Sequence, residues 1–133
     1  MDKEGCEAAG SDCTRVEKPH KKLLIWGKAL DLVAGIYRLT KTFPADEKFG
    51  LASQMRRAAV SIPSNIAEGA ARRGRKEYIH FLYQARGSVS EIDAQLEVAR
   101  RLDYLSDAAF RQLQGRSDEL GRMMNALIAA LTR

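Results

Sequence analysis

A chain of 133 residues is long enough to bury a core, and 45% apolar with 29% charged residues is the make-up of a folded domain rather than a disordered one. No apolar run approaches the roughly 20 residues of a membrane span, and the polar start is not a signal peptide, so no membrane and a cytoplasmic location are expected. The net charge of +5 is unevenly placed: residues 1–13 hold four acids and one lysine, −3, which leaves +8 on the remainder. A basic body suits polyanion partners, although it also serves plain solubility.

Residues 1–17 mix Gly, Ser, Thr and charge without period and are expected to form a disordered acidic tail, followed by one four-helix domain over 18–133. Both cysteines, Cys6 and Cys13, fall in this tail without the second pair a zinc site needs. The two histidines, His20 and His80, are far apart, so free thiols, no metal and no cofactor are expected. A basic lead-in with Lys18, Lys21 and Lys22 opens the domain.

The first helix is expected from Leu23 to about Phe43, with Trp26, Leu30, Val33, Ile36, Tyr37 and Thr40 sharing one face at steps of three and four. Leu32, Leu39 and Phe43 widen that face, and Pro44 stops the helix by pushing its predecessor out of the α region. The second helix runs from Leu51 to Glu68 on a stripe of Leu51, Met55, Ala58, Ala59, Ile62 and Ile66. Pro63 should kink it, with Gly69 as its C-terminal cap. Ser61, Asn65 and Glu68 line one polar edge and are expected to satisfy the carbonyl that Pro63 leaves unbonded, in preference to a role for Glu68 as acid or ligand.

The third helix, Arg75 to about Leu102, has the cleanest pattern: Tyr78, Leu82, Ala85, Val89, Ile92, Leu96 and Ala99 alternate steps of four and three. Ser106 and Asp107 offer an N-cap for a fourth helix carrying Phe110, Leu113, Leu120, Met124, Leu127 and Leu131 on one face. Four long amphipathic helices with short connections predict an all-α, antiparallel up-down-up-down four-helix bundle.

A second semi-apolar sector is present. His80, Tyr83, Gly87, Ala94 and Val98 lie opposite the heptad seam of the third helix, and Ala52, Val60 and Ala67 lie beside Arg56 on the second. A solvated helix back would carry Lys and Glu, so Val60, His80, Tyr83, Gly87, Ala94 and Val98 are expected to meet another copy in a homo-oligomer; scattered exposed apolar residues are the plainer alternative.

Charge peaks between Lys48 and Lys76, where Lys48, Arg56, Arg57, Arg72, Arg73, Arg75 and Lys76 face one acid, Glu68, for a local +6. Cations of this density neutralise phosphates and release counterions. Arg56, Arg57, Arg72, Arg73, Arg75 and Lys76, with Lys21 and Lys22, are the expected nucleic-acid contacts, RNA favoured over DNA. The alternative is pairing of Arg56 and Arg57 with Glu47, Glu68 or Glu77. No phosphate-cradling loop, nucleophile elbow or carboxylate cluster suited to paired metals is present, and His80 has no nucleophile partner, so no catalytic residue is expected.

The strings Trp26-Gly27-Lys28-Ala29, Gly50-Leu51, Gln54-Met55-Arg56-Arg57-Ala58-Ala59, Ser61 through Gly69 and Phe81-Leu82 give the chain a family resemblance over about Leu24 to Leu131. It resembles the bacterial four-helix-bundle proteins encoded within intervening sequences of 23S ribosomal RNA genes, related to the accessory variability proteins of diversity-generating retroelements. Gly27 departs from the pattern, as does Arg73-Gly74-Arg75, and the tail lies outside it. The resemblance implies a bundle that assembles into a ring, commonly a pentamer, with a basic surface. In the retroelement branch it further implies binding to nucleic acid and to a reverse transcriptase. The expected function is a non-enzymatic, homo-oligomeric nucleic-acid-binding accessory protein; the alternative is a protein-binding scaffold with no nucleic-acid role.

Overall fold

The structure, a computed structural model, describes His20 and residues 23–133. The acidic tail with its cysteines, Lys18, Lys21 and Lys22 lie outside the described residues. Four helices follow one another: α1 (Leu24–Thr40), α2 (Leu51–Ala70), α3 (Arg75–Arg101) and α4 (Asp107–Thr132), with a 3₁₀ turn at Ala45–Glu47 before α2. Each helix packs on its chain neighbours and α4 closes back on α1, while no close backbone approach joins α1 to α3 or α2 to α4. This is the square up-down-up-down bundle that short connections dictate.

The core is one continuous cluster. From α3 it takes Leu82, Ala85, Val89, Ile92, Leu96 and Ala99, so the heptad seam is the buried seam. From α4 it takes Phe110, Leu113, Leu120, Met124 and Ile128, with Leu127 and Leu131 packed at its edge. The Ser106 hydroxyl caps α4 by accepting from the Ala109 N–H at 3.1 Å.

On α1 the expected face is rotated. Ile25, Ala29, Leu32, Gly35, Ile36 and Thr40 are the buried residues, whereas Leu30 and Tyr37 are 41% and 37% exposed. Nearly every position of α1 is apolar, so its period admits more than one stripe, and α4 selects the one with small residues. A Cβ on Gly35 would lie 2.7 Å from Leu113 Cδ2, so a larger residue there would make the Leu113 side chain shift.

Small residues also set the α2–α3 contact. Ala58 and Ala59 on α2 are buried with Ala85 on α3, and Ala52, expected on the outer sector, belongs to the core instead. Gly69 is no cap, since α2 continues to Ala70 with Ala71 as its C-cap. It is a close-approach site: a Cβ there would lie 2.9 Å from Phe81 Cβ and 3.2 Å from the Tyr78 carbonyl oxygen.

Helix α2 runs unbroken through Pro63, which is buried. The polar edge does bond backbone, but not at the expected place. The Ser61 hydroxyl donates to the Ala58 carbonyl at 2.7 Å and Asn65 Nδ2 to the Ser61 carbonyl at 2.8 Å, neither being the Ala59 carbonyl that Pro63 leaves without a helical donor. Ser61 also bonds Ser88 across to α3, and Glu68 pairs with Arg72.

Helix α3 ends in a Schellman turn. Asp103 takes φ 61°, its N–H donates to the Arg100 carbonyl at 3.0 Å, and the Tyr104 N–H donates to the Ala99 carbonyl at 2.9 Å.

Candidate nucleic-acid interface

Fold topology divides the basic stretch in two. Arg57 and Ala70, the last residue of α2, are thirteen residues apart, about 20 Å at ~1.5 Å per residue, and Arg72 lies two positions beyond. Arg72, Arg73, Arg75 and Lys76 therefore gather at the end where α1 begins and α4 finishes, and Arg56 and Arg57 lie well away along α2. The expected contacts thus form two patches.

At the bundle end, Arg73, Arg75 and Lys76 are exposed, and no carboxylate among the described residues lies within ion-pair distance of them. Arg75 donates from Nη1 to the Arg133 carbonyl at 3.3 Å, which ties the start of α3 to the end of α4. Arg72 is committed elsewhere: it pairs with Glu68 one turn back, and its guanidinium lies 5.0 Å over the Phe81 ring. An exposed i,i+4 pair is weak enough for a phosphate to displace Glu68. Lys21 and Lys22 lie outside the described residues, although α1 begins at this same end.

The second patch is a groove between α1 and α2, about 640 Å³ in volume, with Tyr37 on one wall and Arg56, Arg57 and Val60 on the other. Arg56 is half-buried. Its Nε donates to Thr40 Oγ1 at 2.7 Å, and its guanidinium lies 4.6 Å over the Tyr37 ring. The Thr40 hydroxyl in turn donates to the Ile36 carbonyl at 2.8 Å, so Arg56 is fixed against the last turn of α1. Arg57, one position on, points to solvent. Lys48 and Phe49 close the groove from the connection, with Phe49 88% exposed.

Within the single chain no ion pair among the described residues joins Arg56 or Arg57 to Glu47, Glu68 or Glu77, and Glu68 is taken up by Arg72. Glu47 Oε1 accepts from the Leu51 N–H at 3.0 Å and Oε2 from the Tyr104 hydroxyl at 2.8 Å. Those bonds, the backbone one first, hold the Glu47 carboxyl below its ordinary pKa, and the same contact raises the Tyr104 phenol.

The expected oligomer residues also separate. His80, Tyr83, Gly87, Ala94 and Val98 are all exposed on the outer side of α3, with Tyr83 and Val98 each at 47%. Arg86 covers the Tyr83 ring at 4.6 Å and donates to Asn125 Oδ1 at 3.1 Å. Val60 is not part of that strip; it lines the α1–α2 groove with the arginines.

Sequence reasoning missed the groove itself. Phe49 belongs to no helical stripe, and an aromatic in a short connection between Lys48 and Gly50 was the one available signal. Also missed was a polar link between α3 and α4, in which the Ser117 hydroxyl, fully buried, donates to Asp93 Oδ1 at 2.6 Å, joined by Gln114 Nε2 at 2.9 Å. No three His, Cys, Asp or Glu side chains gather as metal ligands among the described residues.

Comparison with known proteins decides the family. The model for 23S rRNA-intervening sequence proteins matches residues 21–126, which takes in all of α1, α2 and α3 and most of α4. The chain belongs to this family. A crystal structure of a protein of unknown function from the S23 ribosomal protein family of Bacteroides thetaiotaomicron superposes with a TM-score of 0.74, covering 79% of this chain and 98% of that one. At 24% identity that likeness speaks for the fold alone. No curated protein matches. Both patches fall within the span of the 23S rRNA-intervening sequence family, and no helix among the described residues is long and apolar enough to cross a membrane.

Proposed function

We propose that this 23S rRNA-intervening sequence protein is a non-enzymatic, homo-oligomeric accessory protein that binds nucleic acid, RNA in preference to DNA. The observation that carries the proposal is the exposure of Arg57, Arg73, Arg75 and Lys76 without a carboxylate partner among the described residues. Cations with no side-chain carboxylate partner remain open to phosphate, although Arg75 already donates to the Arg133 carbonyl. Repetition of the patches around an oligomer multiplies contacts that are weak one at a time.

The outer strip of α3 is the proposed contact between copies. Gly87 supports it: the residue sits mid-helix with nothing within 4 Å of a would-be Cβ, so inside one chain it only lowers helix stability. A neighbouring backbone brought close to that strip would give the glycine a purpose. The family resemblance implies a closed ring, commonly of five copies; a reverse transcriptase as partner is implied by the retroelement branch alone.

Structured RNA is titrated at rising salt with wild type and with Arg73→Ala/Arg75→Ala/Lys76→Ala. Affinity is expected to fall with salt. The variant should bind more weakly with a shallower log–log slope, by roughly 0.7–0.9 for each phosphate no longer neutralised. A flat salt response, or an unchanged variant, overturns the proposal and leaves a protein-binding scaffold.

A further inference from the structure

We propose that the α1–α2 groove is a site for single-stranded nucleic acid, in which an unpaired base stacks on Phe49 and the flanking phosphates meet Lys48 and Arg57. This site deepens the nucleic-acid proposal and rests on it, naming the form of the substrate. Three observations converge on the groove. First, Phe49 is 88% exposed, the most exposed large apolar residue described, and nothing in the isolated bundle accounts for an aromatic ring held in water. Second, three of the residues lining the groove are cations and none is an acid, so the ring stands in a positive field. Third, the aromatic surface is already paired with cations: Lys48 Nζ lies 5.5 Å from the Phe49 centroid and the Arg56 guanidinium 4.6 Å from that of Tyr37.

Aromatic faces interleaved with basic side chains are what an unpaired strand requires, because every base has a π-face and every link a charge. A duplex offers phosphates but no free base face to a lone ring, since its bases already stack on one another and only its edges and backbone face outward. A volume of about 640 Å³ accommodates a base with its sugar. The floor is rigid where it matters, because the bond from Arg56 to Thr40 fixes one wall before any ligand arrives.

The full chain is titrated with a 12-nucleotide single strand containing 2-aminopurine and with the blunt duplex of the same sequence, in RNA and DNA versions. Wild type is compared with Phe49→Ala and Phe49→Leu, and assembly mass is measured by light scattering. Single strands of either sugar are expected to bind at least tenfold tighter than duplex. Phe49→Ala should lose roughly tenfold for the single strand, a stacking loss of about 1.4 kcal/mol, with the salt slope unchanged. Aminopurine fluorescence should shift with wild type and not with Phe49→Ala, and Phe49→Leu should lose affinity too, since it keeps apolar area without a π-face. Equal duplex affinity, or Phe49 variants that bind like wild type, overturns this site while leaving phosphate binding at the bundle end intact. Absence of any binding overturns both proposals. A change of assembly mass in Phe49→Ala makes the groove a contact between copies and overturns this site alone.

Discussion

Glu47 accepts from the first N–H of α2 and from the Tyr104 hydroxyl just before α4, so one carboxylate holds both ends of two connections. Gly50 leaves room for it, because a Cβ there would lie 2.7 Å from Glu47 Oε1 and would make the carboxylate shift. The folded state lowers the Glu47 pKa, so the stabilisation is present above the ordinary glutamate value near ~4.3 and is lost as pH falls through the folded one. The gap in melting temperature between wild type and Glu47→Gln, clear at neutral pH, is therefore expected to close on acidification below that value. A gap independent of pH would show that the carboxylate charge contributes nothing. The raised Tyr104 pKa acts at the other limb: its contribution persists below about pH 10 and is lost as pH rises through the folded value.

Helix contacts are governed by where small residues fall, and two glycines separate the effects. At Gly69 a methyl group meets the Tyr78 carbonyl oxygen at 3.2 Å, and a backbone atom cannot rotate away. Gly69→Ala is expected to destabilise by about 1–2 kcal/mol in denaturant titration, since overpacking outweighs the ~1 kcal/mol of helix propensity. At Gly87 the space is open, and Gly87→Ala should stabilise the isolated chain by about 0.8–1 kcal/mol. Equal effects at the two sites would mean that α2 and α3 do not approach as closely as described. The α3 seam was legible because its apolar residues alternate with clear polar gaps. The α1 face was legible in part: Leu32, Ile36, Thr40 and Phe43 are buried as expected, whereas Leu30 and Tyr37 are exposed and Ile25 and Ala29 are buried. Most of α1 is apolar, and packing against α2 and α4 chose among its stripes.

At the scale of the whole molecule the proposed contact between copies is the outer strip of α3, where Tyr83 and Val98 are exposed beside Gly87 and Ala94. Wild type is expected to elute as a multiple of 14.8 kDa, and Tyr83→Glu/Val98→Glu as a monomer with unchanged helix content. A wild-type mass of one chain would remove the strip's proposed role and the multivalency on which the proposed RNA binding draws. Partition of the basic stretch follows the element order: Arg56 and Arg57 lie within α2, and Arg72 to Lys76 lie at and beyond its end, so the local +6 is spread over different parts of the bundle.

The sequence by itself determined four helices, their limits to within a few residues, the α3 seam, the cap at Ser106 and the family. Those depend on period, capping chemistry and motif, all of which are local along the chain. Only the tertiary structure decided which face of α1 is buried, that Arg56 is held by Thr40 and Tyr37, that Arg72 is engaged by Glu68, and that Phe49 joins Tyr37, Lys48 and Arg57 around one groove. Such contacts join residues many positions apart. They follow from how closely neighbouring helices approach, which the volume of side chains on the opposing helix sets.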